Sequence, residues 1–220
     1  MGSKVRARHR DASAPRAGTF RLDLHVHTSI GSPCAFYDPM EIPRYAREAG
    51  LAGAVITDHN FGWAENAVSL NAYEELGAKF ASVGLVMLIG MEVSTVEGDI
   101  LVYPPDVESL TSTLPGGFGR IDFSVDEVLG AAERLGALAV LAHPHSYPQT
   151  RPHAIERFNG SRGAFYNPYG VPEVGGSDAH FPWGVGAAWT EFDTAVESVG
   201  DLVRLVREGK CRPARRRREK

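Results

Sequence analysis

The stretch Phe20-Arg21-Leu22-Asp23-Leu24-His25-Val26-His27 reads as a β-strand that runs straight into a pair of histidines. The same order, strand first and polar motif after, recurs down the chain. A strand candidate over 52–57 ends in Thr57-Asp58-His59-Asn60, and one over 85–93 ends in Gly90-Met91-Glu92. Another over 137–142 ends in His143-Pro144-His145, and one over 171–175 leads into Gly176-Ser177-Asp178-Ala179-His180. A sixth candidate covers 100–103. Of the eight histidines, only His9 and His153 lie outside these motifs.

Helical patterns fall between the strands, over 39–49, 64–82, Val125–Leu135 and 194–208. Asp38-Pro39 opens the first with a capping residue and a proline at its first position. Ser124 with Glu127 forms a capping box, and Gly50 and Gly136 suit left-handed C-caps. Apolar strands alternating with helices imply an α/β fold with a parallel sheet covered on both faces. In such folds the C-terminal ends of the strands share one rim, where sites are built. The five polar motifs are therefore expected to converge.

Their spacing suits metal binding. Residues i and i+2 of a strand share a face, roughly 6.5–7 Å apart along the chain. His25 and His27 can approach one ion together, and Asp178 and His180 can do so from the opposite side of the rim. Imidazole with carboxylate suits Zn²⁺, Mn²⁺ or Fe ions. Glu92 can bridge two ions through its two oxygens. Alone, an HxH pair or an Asp-His pair is as readily a cap or a core hydrogen bond. Five such motifs at five strand ends make the metal site specific.

The composition agrees. The 220 residues are 43% apolar and 23% charged, a globular balance that excludes wholesale disorder. The net charge of −4 is divided: residues 1–21 carry +5, residues 207–220 carry +6, and the body between them carries −15. An acidic body of this kind is compatible with cation binding. The longest apolar runs are too short to span a bilayer. The basic N-terminal stretch lacks the apolar core of a secretory signal. Cys34 and Cys211 cannot make a disulfide framework, which fits a reducing cytoplasm. No Walker A loop or GxGxxG motif is present. Residues 1–19 read as a flexible basic arm, 20–209 as one globular domain and 210–220 as a basic tail.

Through DLHVHTS, GLAGAVITDHN, GMEVSTVEGDILVY, AHPH and GGSDAH, the chain resembles the PHP (polymerase and histidinol phosphatase) family of metal-dependent phosphoesterases over nearly its whole body. The resemblance implies a distorted seven-stranded (β/α) barrel holding two or three divalent metal ions. His25, His27, Glu92 and Asp178 would hold the first. Glu92 would bridge to a second, also held by His143, and His59 and His180 would hold a third. Asp23 and Asp58 would fix histidine tautomers, and His145 would support a ligand or meet phosphate. Two positions depart from the pattern: Ser32 stands where many members carry a ligand, and Asp99 stands where many carry histidine. Asp99 can still ligate a hard cation; Ser32 is a poor ligand. The stretch 159–176 is short for a strand–helix unit and reads as a loop over the site.

The expected activity is hydrolysis of a small phosphate ester, with metal-activated hydroxide attacking phosphorus in line. Asp178 and His180 are the expected catalytic residues. Arg151, Arg157 and Arg162 are candidates to meet a substrate phosphate, and Trp63, Trp183 and Tyr166 to stack on a base or sugar. Cys34 reads more readily as a small buried residue than as a soft ligand. The alternatives are nuclease or nucleotide phosphoesterase action, with the basic ends holding a polyanion, and a metal-binding module without catalysis.

Overall fold

In the computed structural model, residues 18–61, 70–106, 109, 114 and 120–216 are described. The flexible arm expected before residue 18 and Trp63 lie outside them. The first strand, β1 (Phe20–Val26), forms as read, and Leu22 and Leu24 are fully buried. It stands inside a five-stranded sheet. The strands β2 (Gly53–Ile56) and β3 (Val86–Ile89) follow it in parallel; on its other side lies β10 (Ala188–Phe192), antiparallel to β1, and beyond it β11 (Cys211–Arg215), antiparallel to β10.

A second, six-stranded sheet holds the middle of the chain. It runs β4 (Met91–Thr95), β5 (Gly98–Tyr103), β6 (Leu138–Leu141), β7 (Ala154–Asn159) and β8 (Gly163–Ala164), with β9 (Glu173–Gly176) paired to β7. Pairings β6–β7 and β7–β9 are parallel; β4–β5, β5–β6 and β7–β8 are antiparallel.

The α/β class holds, but in place of the expected distorted seven-stranded (β/α) barrel the strands form two sheets, with no closed sheet among the described residues. The reason is the connections. A turn of two residues, 96–97, joins β4 to β5, and the β7–β8 hairpin replaces a helix after β7. Such short links force antiparallel pairing. The single strand expected over 85–93 also divides at Gly90. A Cβ there would lie 2.8 Å from the Tyr103 ring and 3.0 Å from the Val102 carbonyl oxygen, so only glycine lets the chain pass.

Isolated bridges tie the two sheets together. His59 pairs with Glu92, continuing the β2 edge onto β4, and Val26 pairs with Ala179 beyond β9. The main-chain N–H groups of Asp178 and His27 donate to His25 and Ala179 carbonyls at 2.8 and 3.1 Å. The polar motifs that follow β1, β2, β3, β6 and β9 are gathered by these links.

Four α-helices are described: α1 (Ile42–Glu48), α2 (Leu70–Ser82), α3 (Val125–Leu135) and α4 (Val199–Arg207). The turn capped by Asp38 is a 3₁₀ turn leading into α1. Both hydrogen bonds of the Ser124–Glu127 capping box form, and Gly136 closes α3 at φ 65°. Val128 and Ala132 of α3 pack on Ile100, Val102 and Leu141. Leu202, Leu205 and Val206 of α4 pack against Leu22, Leu24 and Val140. Tyr73, Leu76 and Phe80 of α2 pack against Ala54 and Ile56.

The strand β11 takes Arg212 and Arg215 out of the expected solvated tail. Glu191 on β10 is buried and pairs with Arg212 from β11 and, at 3.6 Å, with Arg21 from β1. Pro213 is tolerated because β11 is an edge strand. Residues 217–220 lie outside the described part. No described helix is long and apolar enough to cross a membrane.

Candidate metal centre

Glu92 is the hub. Its side chain is buried and each oxygen meets a different set of imidazoles. Oε1 lies 2.9 Å from His143 Nε2 and 3.5 Å from His25 Nε2. Oε2 lies 3.2 Å from both His27 Nε2 and His59 Nδ1. Asp178 closes the opposite side, with Oδ1 at 3.4 Å from His27 Nε2 and 3.7 Å from His25 Nε2. Five strand ends therefore supply one cluster, as the motif spacing predicts.

Backbone strain marks two of these residues. Among the described non-glycine residues, only His143 (φ 23°) and Asp178 (φ 54°) have positive φ. Such conformations are costly and persist where the surroundings over-determine them. Here main-chain hydrogen bonds hold both: His143 N–H donates to Glu156 Oε2 at 2.9 Å, and Asp178 N–H donates to the His25 carbonyl. Gly176 permits the close approach of β9 to β1, since a Cβ there would lie 2.4 Å from His25 Cβ. We expect Gly176→Ala to cost about 1–3 kcal/mol by overpacking, read in a denaturant titration; an unchanged midpoint would show that the strands can separate freely.

Glu156, which the sequence reading missed, orients the cluster from below. Fully buried on β7, it accepts from His25 Nδ1 at 3.1 Å, from His143 N–H, and from Asn159 Nδ2 at 3.0 Å. A carboxylate only accepts, so His25 carries its proton on Nδ1 and turns Nε2 to the cluster. In sequence, Glu156-Arg157 looks like an exposed ion pair, and no alternation betrays β7.

Ser32 does for His27 what Glu156 does for His25. Its hydroxyl donates to Asp58 Oδ1 at 2.6 Å and accepts from the His59 main-chain N–H at 3.1 Å. His27 Nδ1, at 3.0 Å, must then be the donor to the Ser32 oxygen, which leaves Nε2 for the cluster. Asp58 thus reaches His27 only through Ser32; its other partners are Thr28 and Tyr73. Asp23 touches no imidazole. It accepts from the main-chain N–H groups of His25, Ser177 and Gly186, and so clamps β1 to the segment after β9.

The remaining expected residues divide. Asp99 joins Glu92 and His143 in one group of ligand atoms. His180 stands at the opening, 28% exposed, its ring centroid 4.4 Å from that of His27. His145 is exposed and stands 6.1 Å from His143 between ring centroids. Of the three arginines, Arg162 reaches the cluster, with Nε 3.6 Å from Asp178 Oδ2. Arg157 pairs with Glu173 and Phe165, and Arg151 meets the Gly170 carbonyl. Tyr166 is exposed, and Trp183 is exposed and stacked on Phe181 at 4.9 Å.

The electrostatics call for positive charge. Burial alone would strip protons from His25 and His27. Glu92, Glu156 and Asp178 overcome it at His25, raising its pKa well above the ordinary value. Hydrogen bonding to Asp178 and Glu92 raises His27 to about 9 despite burial. Burial also pushes the carboxylates up, yet the facing imidazoles hold Glu92 and Asp178 well below the usual range. Burial pulls His59 down to about 4, and its buried Nδ1 has no hydrogen-bond partner. A buried anion without compensation costs several kcal/mol. Divalent cations would supply that compensation. Three overlapping groups, His25/His27/Glu92, Glu92/Asp99/His143 and His25/His143/Asp178, each keep their ligand atoms within 4.8 Å of one another. The facing Nε2 atoms of His25 and His27, 3.1 Å apart, match the roughly 3.3 Å edge of a tetrahedron with zinc–nitrogen bonds. The residues fit a divalent-metal centre.

Known proteins place this arrangement. Residues 156–211 match the family described as PHP-associated. A PolC-type DNA polymerase III from Lacticaseibacillus paracasei is 29% identical over 99 residues, covering 44% of this chain and 6% of the polymerase. The chain thus spans a small fraction of that relative. A two-domain protein from Bacteroides vulgatus, described as containing a predicted PHP-like metal-dependent phosphoesterase, shares the fold at TM-score 0.66 and 17% identity, over 94% of this chain and 68% of that one. A lesion-specific endonuclease from Pyrococcus furiosus shares it at TM-score 0.62 and 16% identity, over 86% and 56%. The matched segment, the polymerase relative and the shared fold agree with the five converging motifs, and together they support a PHP domain.

Proposed function

We propose that the chain is a metal-dependent phosphoesterase acting on a small phosphate ester. The observation that carries this is Glu92, a buried carboxylate whose two oxygens each face two imidazoles. Bound divalent ions would polarise the phosphoryl oxygens and acidify water. The chain's own groups do the rest. Glu156 and Ser32 hold the proton on Nδ1 of His25 and His27, so that Nε2 is presented to the centre. Asp178 turns one oxygen to those histidines and the other to Arg162. Arg162, half exposed at the rim, is placed to fork onto the entering phosphate. His180 lines the opening.

The test is turnover on a panel of phosphate monoesters before and after chelation, with Zn²⁺ and Mn²⁺ added back. Activity should vanish with the metal and return with it. Equal activity in the chelated protein would refute the reading. Arg162→Ala should raise KM about tenfold, the equivalent of one charge-assisted hydrogen bond, with kcat little changed. An unchanged KM would move phosphate binding elsewhere.

One observation supports a nucleotide or nucleic-acid ester as a second reading. Phe181 and Trp183 form an exposed stacked pair directly after His180, a surface on which a base can lie. Quenching of Trp183 fluorescence by nucleotides, absent for phosphosugars, would favour it. Deleting 212–220 would destroy β11, so the role of the basic C-terminus is tested by removing only 217–220.

A further inference from the structure

We infer that Cys34 is a metal ligand, forming with His59 and His180 a thiolate-containing third site beside the Glu92 centre. The inference rests on the cluster being a metal centre and does not depend on which ester is hydrolysed.

The sequence leaves the third site short of a ligand, because Ser32 occupies the position where one is expected. The structure shows that Ser32 cannot supply it. Its hydroxyl is spent on Asp58, the His59 main-chain N–H and His27 Nδ1. Two residues on, the turn closed by Ala35 N–H to the Ser32 carbonyl carries Cys34 to the same place. The ligand atoms of His27, Cys34, His59 and His180 all lie within 4.8 Å of one another. His27 presents Nε2 to the neighbouring group with His25 and Glu92, which leaves Cys34, His59 and His180 for a separate ion.

Both histidines are prepared for this. His180 Nδ1 lies 3.1 Å from the Asp178 carbonyl oxygen; a carbonyl only accepts, so Nδ1 carries the proton and Nε2 keeps its lone pair. His59 turns its buried Nδ1, which makes no hydrogen bond, toward Glu92 Oε2 at 3.2 Å, so this ring stands within reach of both the Glu92 centre and Cys34. One sulfur and two imidazole nitrogens form a borderline-soft donor set that leaves a fourth position open, a composition suited to Zn²⁺ or Co²⁺ over Mg²⁺. On binding, the Cys34 thiol gives up its proton to solvent as the sulfur–metal bond forms, with no change of oxidation state. The centre would then contain two chemically distinct parts: an oxygen- and nitrogen-rich pair of sites around Glu92, and a thiolate site at the opening.

The test is cobalt titration of the chelated full-length protein. A thiolate ligand gives a near-ultraviolet sulfur-to-cobalt charge-transfer band, which oxygen and nitrogen ligands lack. The wild type should develop that band, and Cys34→Ala and Cys34→Ser should lose it together with one equivalent of bound cobalt. Cys211→Ala should keep both. In the wild type, bound Zn²⁺ should also protect Cys34 from alkylation while Cys211 keeps its own rate, a readout that needs no variant to fold. Cobalt uptake without the band, a band that survives in Cys34→Ala, or alkylation of Cys34 unaffected by zinc would overturn the inference and leave the Glu92 centre standing. No cobalt uptake at all would overturn both.

Discussion

Glu92→Gln should lower hydrolysis about a thousandfold and leave the chain folded. Glutamine keeps the volume of the side chain but presents one acceptor oxygen where glutamate presents two. Glu92 faces His143 and His25 with Oε1, and His27 and His59 with Oε2. An amide NH₂ on either side faces imidazole nitrogens that should point their lone pairs at metal. Loss of the bridging anion removes several kcal/mol of charge stabilisation at the reacting phosphate, which corresponds to the stated fall in rate. The fold survives because Asp178 still balances the imidazoles. Metal content of the dialysed protein should fall with the rate, while circular dichroism stays the same. Turnover within a few-fold of wild type, with metal retained, would show that Glu92 does not bridge.

The second large effect is expected at Glu156, outside the set that faces the metals. Glu156→Ala strands three donors in the interior: His25 Nδ1–H, His143 N–H and the Asn159 amide. Each unsatisfied buried donor costs about 1–3 kcal/mol, so the three together should cost at least about 3 kcal/mol, a large share of the stability of an ordinary domain. Glu156→Gln separates orientation from stability. Its oxygen can serve the two donors on the Oε2 side, but its NH₂ then faces His25 Nδ1. The imidazole must move its proton to Nε2, and a donor then points at the metal position. We expect Glu156→Gln to fold with near-normal stability and to bind metal about 10–100-fold more weakly. Nitrogen chemical shifts of the His25 ring would report the tautomer. Unaltered affinity and an unaltered His25 tautomer in Glu156→Gln would remove this role.

Much of the centre was legible from local pattern. His25, His27, His59, Glu92, His143, Asp178 and His180 each stand in a motif at a strand end, and the structure brings all seven together. What was not legible lies in the strands themselves. Glu156 sits within a strand whose sequence, Ala154-Ile155-Glu156-Arg157-Phe158-Asn159, carries no alternation, because both of its faces are largely buried. Asp23 and Asp58 were expected beside imidazoles and instead hold main-chain N–H groups and hydroxyls, a choice that depends on where β9, α2 and the Thr28–Ser32 turn arrive. Arginine-rich β11 was hidden because its charge looks solvated until Glu191 is found buried beneath it.

The sequence by itself determined the residue types of the centre and their order, because strand ends, caps and i, i+2 spacing are local properties of the chain. Tertiary structure alone decided the two-sheet architecture, the supporting roles of Glu156 and Ser32, the choice of Arg162 among three arginines and the company Cys34 keeps. These depend on pairings between residues far apart in the chain. Whether a buried carboxylate or hydroxyl accepts from a ring nitrogen, a main-chain N–H or a neighbouring side chain is settled by which strand lies beside it, and no local pattern encodes that.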